Sequence, residues 1–171
     1  MKAYMGLTCK TGAYNEVLKK LILTHNLDQQ NVFLLFGPID ILIQFNNLKS
    51  IEEFAEKWFN PIRLIGEEEE LITKTLSLIT FAEGPRISQK PFAFIFINAK
   101  PKSLEKIRHK LLEIPEVISA DGVLGPYDIL CSVKAQDHEE LETLVSVIQQ
   151  IAGIESSMTS IVFPIKVLPD W

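Results

Sequence analysis

Two aspartates stand out for the chemistry they could do. Asp40 and Asp128 each follow a Gly-Pro-x triplet, in the stretches GPIDIL (37–42) and GPYDIL (125–130). Five of six letters repeat at a spacing of 88 residues, from 37 to 125, in a chain of 171. A carboxylate just after such a turn has two uses. It can accept a backbone N–H and fix the turn, or it can receive an ammonium group at the mouth of a strand. Gly37 and Gly125 suit either use, because glycine permits a positive φ and close approach of another group.

Other polar residues are less pointed. Ser157 and Thr159 alternate at the start of a strand-like run, so their hydroxyls share one face and could form a small hydrogen-bonding patch. Thr73 and Thr75 do the same in the first half, and in both places ordinary β-propensity is the alternative. His25, His109 and His138 have no nucleophile or acid partner in sequence and read as surface residues. No catalytic residue is therefore assigned. GEEEE (66–70) reads as a solvated loop before a strand. The chain has neither CxxC nor HExxH, so no metal site and no cofactor are expected. Cys9 and Cys131 sit in apolar, strand-like stretches and read as buried free thiols of a cytoplasmic protein.

The elements that must position these residues come in two matching sets. In the second half, PFAFIFINA (91–99) reads as a strand and SLEKIRHKLLEI as a helix with Leu104, Ile107, Leu111 and Leu112 on one face. VISADGVLG and YDILCSV are strands on either side of the Gly-Pro turn. DHEELETLVSVIQQI is a helix capped by Asp137, with Leu141, Leu144, Val145, Ile148 and Ile151 inward. SSMTSIVFPI is the last strand. The first half repeats this βαββαβ order. Tyr14, Val17, Leu21 and Ile22 match the first helix at a constant shift of 90, and Ile51, Phe54, Ala55 and Trp58 form a face of the second. Residues 1–83 and 91–171 are thus expected to be two domains, with a Gly/Pro-containing polar linker at 84–90.

The expected fold class is α+β, with two tandem ferredoxin-like units. Runs such as FAFIFI and VFLLF barely alternate, so both faces of each sheet must be covered. Two helices per unit cover one face only. A second sheet can cover the other, packed face to face as a pseudo-dimeric α+β barrel. That second sheet comes from the other repeat or from an equivalent half of another chain.

Charge and hydropathy exclude some classes. The formal net charge is −5, without the clustered Lys and Arg of a nucleic-acid surface, so direct DNA binding is not expected. No apolar run of about 18 residues suggests a membrane span.

The stretch from Ala93 onward resembles the effector-binding domain of the Lrp/AsnC transcription regulators over residues 92–165. IPEVISADGVLGPYDI, HEELETLV and IAGIESSMTSIV carry the likeness through their order and spacing. The first half keeps GPIDIL and the element order but lacks the IPEV and IAGIE stretches, as a diverged copy would. The resemblance implies βαββαβ domains that pair face to face and assemble into rings, with small effectors, commonly amino acids, bound near the Gly-x-Tyr-Asp turn. Carried over, the ligand-binding candidates are Gly125, Tyr127 and Asp128, with Ser157 and Thr159 nearby. Gly37 and Asp40 are their first-copy counterparts, where Ile39 replaces the tyrosine. Family regulators place a helix-turn-helix before this domain, and the sequence shows none.

The expected function is a non-enzymatic module that binds a small molecule, an amino acid by that resemblance. It would form homo-oligomers and associate with an Lrp/AsnC-type regulator. Dimeric α+β barrels also include enzymes and haem-handling proteins, which is the alternative. A ligand-free oligomerisation scaffold is a third reading.

Overall fold

The computed structural model describes residues 1–87 and 89–165. Residue 88 of the expected linker and residues 166–171 of the expected second domain lie outside the described residues. The chain has an α+β fold and divides into two compact units. Among the described residues, one comprises residues 1–77 with residues 163–165, the other Leu78–Val162.

In the second unit the strands are β5 (Ala93–Ala99), β6 (Val117–Leu124), β7 (Ile129–Val133) and β8 (Ile154–Phe163), with helices α4 (Leu104–Leu112) and α5 (His138–Gln149). The sheet is antiparallel, in the order β8–β5–β7–β6. One face carries Ile95, Ile97 and Cys131, which pack with Ile107, Leu111, Leu141, Leu144 and Ile148 of the helices. Each such aliphatic side chain contributes about 1.5–3 kcal/mol on burial. Val145 and Ile151 pack at the margin of this core, and Leu112 is exposed. Phe94 and Phe96 alternate to the opposite face and are fully buried as well.

The end of strand β4 (Ile72–Ala82) also belongs to this unit. It pairs with β6 through Ile79 opposite Leu124 and Thr80 opposite Val123, then bulges to set Ala82 opposite Gly122. A Cβ on Gly122 would come within 2.8 Å of the Phe81 ring, so only glycine allows this approach. Gly84, at the start of the expected linker, is tied in too: its N–H donates to Asp121 Oδ1 at 2.6 Å.

The first unit holds β1 (Ala3–Cys9), α1 (Tyr14–Lys19), β2 (Val32–Phe36), β3 (Ile41–Phe45) and the start of β4. Here β3 lies between β1 and β2, and the start of β4 runs beside β1, where Lys10 N–H donates to Leu71 C=O at 2.8 Å. The order fourth–first–third–second is that of the second unit.

The helices differ from expectation. α1 continues as a wide π-helical turn over Lys20–Thr24. The second helix runs from α2 (Ile51–Phe54) through a π-helical turn (Ala55–Phe59) into α3 (Asn60–Glu69). Pro61 therefore does not end it. Pro61 lies at the start of α3, where a proline's missing N–H is tolerated. Most of GEEEE, expected to be a loop, is the last turn of α3, and Glu70 closes it at φ 55°. The inner faces are also corrected: Phe54 is buried, but Ile51 and Tyr14 are exposed. Ile51 is the first residue after the Ser50 cap, where a helix has only begun to meet its sheet.

Both second helices begin with the same device. Ser50 Oγ accepts from Glu53 N–H at 3.1 Å, and Glu53 Oε2 accepts from Lys49 N–H at 2.6 Å. Asp137 Oδ1 accepts from Glu140 N–H at 2.8 Å, and Glu140 Oε2 from Gln136 N–H at 2.6 Å. These are reciprocal capping boxes, 87 residues apart.

Candidate functional site at the Gly-Pro-x-Asp turns

The β6–β7 turn is built around Gly125 at φ 148°, and the β2–β3 turn around Gly37 at φ 147°. Both angles are strained for any residue with a Cβ. The positive φ that glycine permits is adopted at both places.

The aspartates complete the turns identically. Asp128 N–H donates to Ile97 C=O at 2.9 Å, and its own C=O accepts from Val123 N–H at 2.9 Å. Its carboxylate Oδ2 accepts from Ala99 N–H at 2.9 Å. Asp40 N–H donates to Leu7 C=O at 2.9 Å, its C=O accepts from Leu35 N–H at 2.8 Å, and its Oδ2 accepts from Cys9 N–H at 2.7 Å. Each carboxylate thus satisfies the last free N–H of the first strand of its unit. The brace runs to a neighbouring strand rather than within the turn, which no local spacing could show. Among the described residues Oδ1 of Asp128 has no protein partner.

The surroundings of the two turns differ. The Tyr127 ring packs on Phe96 at 5.1 Å between centroids, and its hydroxyl lies 3.8 Å from Met158 Sδ. Phe96 is on the sheet face away from the helices, and Met158 is its direct partner in register. At the first turn Ile39 fills the space over Gly6, where an added Cβ would lie 3.2 Å from its Cγ2 and 3.5 Å from Leu76 Cβ.

Ser157 and Thr159 are not brought to Tyr127. They pair with Ile97 and Ile95, on the sheet face that carries the helices. Ser157 Oγ accepts from Gln149 Nε2 of α5 at 3.0 Å. The five second-copy candidates therefore lie on two faces of the sheet: strand alternation is legible in a sequence, but which register faces the helices is not. Thr73 Oγ1 donates to Thr8 C=O at 3.2 Å. The strand register also shifts the expected match. Lys10 reaches Leu71 as Lys100 reaches Gly153, a shift of 82, so Thr75 and Ser77 correspond to Ser157 and Thr159.

Neither thiol is poised for nucleophilic work. Burial, then the Asp40 carboxylate, pushes Cys9 up to about 12. Burial, then Asp121, pushes Cys131 still higher. Both are protonated at neutral pH, and a thiol is a poor nucleophile. His109 and His138 are exposed, the latter edge-on to Phe92 at 5.5 Å.

With this geometry in view, residues 92–167 match the family model described as the Lrp/AsnC ligand binding domain. That stretch is similar to an Lrp/AsnC-type ligand-binding domain, which supports an effector-domain-like module there. The HTH-type transcriptional regulator FL11 of Pyrococcus furiosus is 29% identical over 73 residues, 43% of this chain and 48% of the regulator. An HTH-type transcriptional regulator of Pyrococcus abyssi is 36% identical over 75 residues, again 43% and 48%. The chain spans about half the length of the curated relatives it matches. Among solved structures, the siroheme decarboxylase NirDL in complex with an iron-uroporphyrin III analogue superposes with a TM-score of 0.73. The likeness covers 96% of this chain and 71% of that one at 10% identity, so it concerns the fold alone. No helix among the described residues is long and apolar enough to cross a membrane.

Proposed function

We propose that this chain is a non-enzymatic effector module that binds a small molecule, an amino acid by class, at the turn Gly125–Tyr127–Asp128. The match of residues 92–167 to a ligand binding domain carries this reading. Gly125 brings backbone close to the ligand, Tyr127 offers a ring and a hydroxyl, and Asp128 Oδ1 is available to an α-ammonium while Oδ2 braces Ala99. Ser157 and Thr159 lie on the other face, where Ser157 bonds Gln149 of α5. Gly37 and Asp40 are the scaffold counterpart without the aromatic ring.

The finer architecture belongs to the same proposal. Residues 1–83 and 91–171, joined by 84–90, are tandem ferredoxin-like copies whose sheets face each other as a pseudo-dimer. Complete burial of Phe94 and Phe96, which point away from α4 and α5, supports a covered second face. The module assembles with further copies and with a regulator of the Lrp/AsnC type, and does not hold DNA itself. Among the described residues neither thiol is ionised at neutral pH, which gives the enzymatic alternative less support.

Calorimetry with an amino-acid panel on Asp128→Asn and Asp40→Asn tests the site. Asn keeps an acceptor for the brace and removes the charge. Losing about 2 kcal/mol of charge-assisted bonding weakens binding roughly 30-fold at Asp128 and leaves Asp40→Asn near wild type. Wild-type binding by both variants would show that the aspartates only brace strands.

A further inference from the structure

We propose a second ligand site in the first unit, in the cleft between α3 and the start of β4, for a small molecule with two anionic groups and one ammonium. It does not rest on the effector reading and involves none of the turn residues. The cleft has a volume of about 250 Å³ and is lined by Arg63, Gly66 and Glu67 of α3 and by Ile72, Thr73, Lys74 and Thr75 of β4. That is just below the usual range for drug-sized pockets, about 300–1,000 Å³, and suits a metabolite of few heavy atoms.

Two features show that the cleft is built rather than incidental. A Cβ on Gly66 would lie 2.9 Å from Ile72 C=O and 3.2 Å from Ile72 Cβ, so glycine is what lets the strand start this close to the helix. The second feature is an insertion. Between the capping box and the last strand the shift between copies falls from 87 (Ser50 to Asp137) to 82 (Leu71 to Gly153), five additional residues in the first copy. They extend its helix through the π-helical turn and α3. In the second unit Gln149 reaches across and bonds Ser157 instead.

The lining fixes the ligand's charges. Arg63 stacks on the Phe59 ring at 5.1 Å, which holds the guanidinium while its in-plane N–H groups stay available. Among the described residues neither Arg63 nor Lys74 has an ion-pair partner, and neither does Glu67. By contrast Glu69, on the same turn of helix, is bound to Lys20 at 2.6 Å. Two unpaired cations, one unpaired carboxylate and the Thr75 hydroxyl present +2 and −1. A complementary ligand carries −2 and +1, the pattern of an amino dicarboxylate. A simple dianion would meet Glu67 uncompensated, and a simple cation would meet Arg63 and Lys74.

The test titrates the whole chain with L-aspartate, L-glutamate, glutarate and inorganic phosphate, each to about 10 mM, where millimolar dissociation constants are read. Backbone amide shifts report the location. Aspartate or glutamate should move the amides of Gly66 and 73–75. Arg63→Gln and Glu67→Gln, both at exposed positions, should each weaken this at least tenfold without changing the melting temperature. Glutarate, lacking the ammonium, should also bind at least tenfold more weakly than glutamate. No shift at Gly66 or 73–75 with any probe overturns the site. Equal binding of phosphate or glutarate overturns the ligand class. Shifts confined to 125–128 overturn this site while leaving the effector reading standing, and the converse result separates the two the other way.

Discussion

Phe96, Tyr127 and Met158 meet beside the turn of the second unit, where Gly6, Ile39 and Leu76 meet beside the turn of the first. The backbone framework is the same in both: equivalent aspartates make equivalent hydrogen bonds, within 0.2 Å of each other in length. What differs is the side-chain filling. One unit holds a ring on a ring, and the other holds a glycine under an isoleucine. The repeated aspartate thus braces a strand in both units, and the difference lies in what surrounds it. The second helix and last strand extend the lesson. Both helices start with the same capping box, yet five additional residues in the first unit lengthen its helix beside a charged cleft, and in the second unit Gln149 bonds Ser157.

This comparison can be broken most strongly at the aromatic pair. Phe96→Ala should destabilise the second unit by about 3–5 kcal/mol, the usual cost of a large core truncation. Gly6 needs no side chain there at all. Urea denaturation followed by near-ultraviolet circular dichroism will show it, as a separate second-unit transition if the units unfold independently. A loss below about 1 kcal/mol would mean that Phe96 is not the packing centre its burial indicates.

The aspartates come next. Asp40→Ala and Asp128→Ala should each cost about 1.5–3 kcal/mol, because each leaves a strand-end N–H without its charged acceptor. Equal losses support a shared brace. A large loss at one and none at the other would break the equivalence of the two turns.

Removing the caps should have a smaller and again paired effect. Ser50→Ala and Asp137→Ala should each cost about 1 kcal/mol. The smallest expected change is Tyr127→Phe, within about 0.5 kcal/mol in stability, since the hydroxyl meets only a thioether sulfur. Its effect should instead fall on ligand binding, read by the same calorimetry as Asp128→Asn.

Much of this was legible from residue order. The repeat of GPIDIL and GPYDIL, the apolar spacing of Val17 with Ile107 and Leu21 with Leu111, and the cap at Asp137 all depend on neighbours within a few positions. Local patterning determines turns, caps and helix faces, so these could be read directly. The likeness of residues 92–165 to the Lrp/AsnC effector domain was legible for the same reason, since its segments follow one another in order.

Other features depended on distant parts of the chain. That Asp128 braces Ala99, 29 residues away, is set by which strands lie side by side. That Ser157 faces α5 while Tyr127 faces Phe96 is set by register, and a slip of one residue would exchange them. GEEEE read as a loop, yet after a π-helical turn at Ala55–Phe59 the helix runs through Pro61 to Glu69. The sequence by itself determined two βαββαβ sets with a glycine and an aspartate at matched turns, because those choices are made by short-range sterics and hydrogen bonds. Tertiary structure decided which side chains surround each turn and whether a cleft opens beside it, because packing joins residues that no local pattern connects.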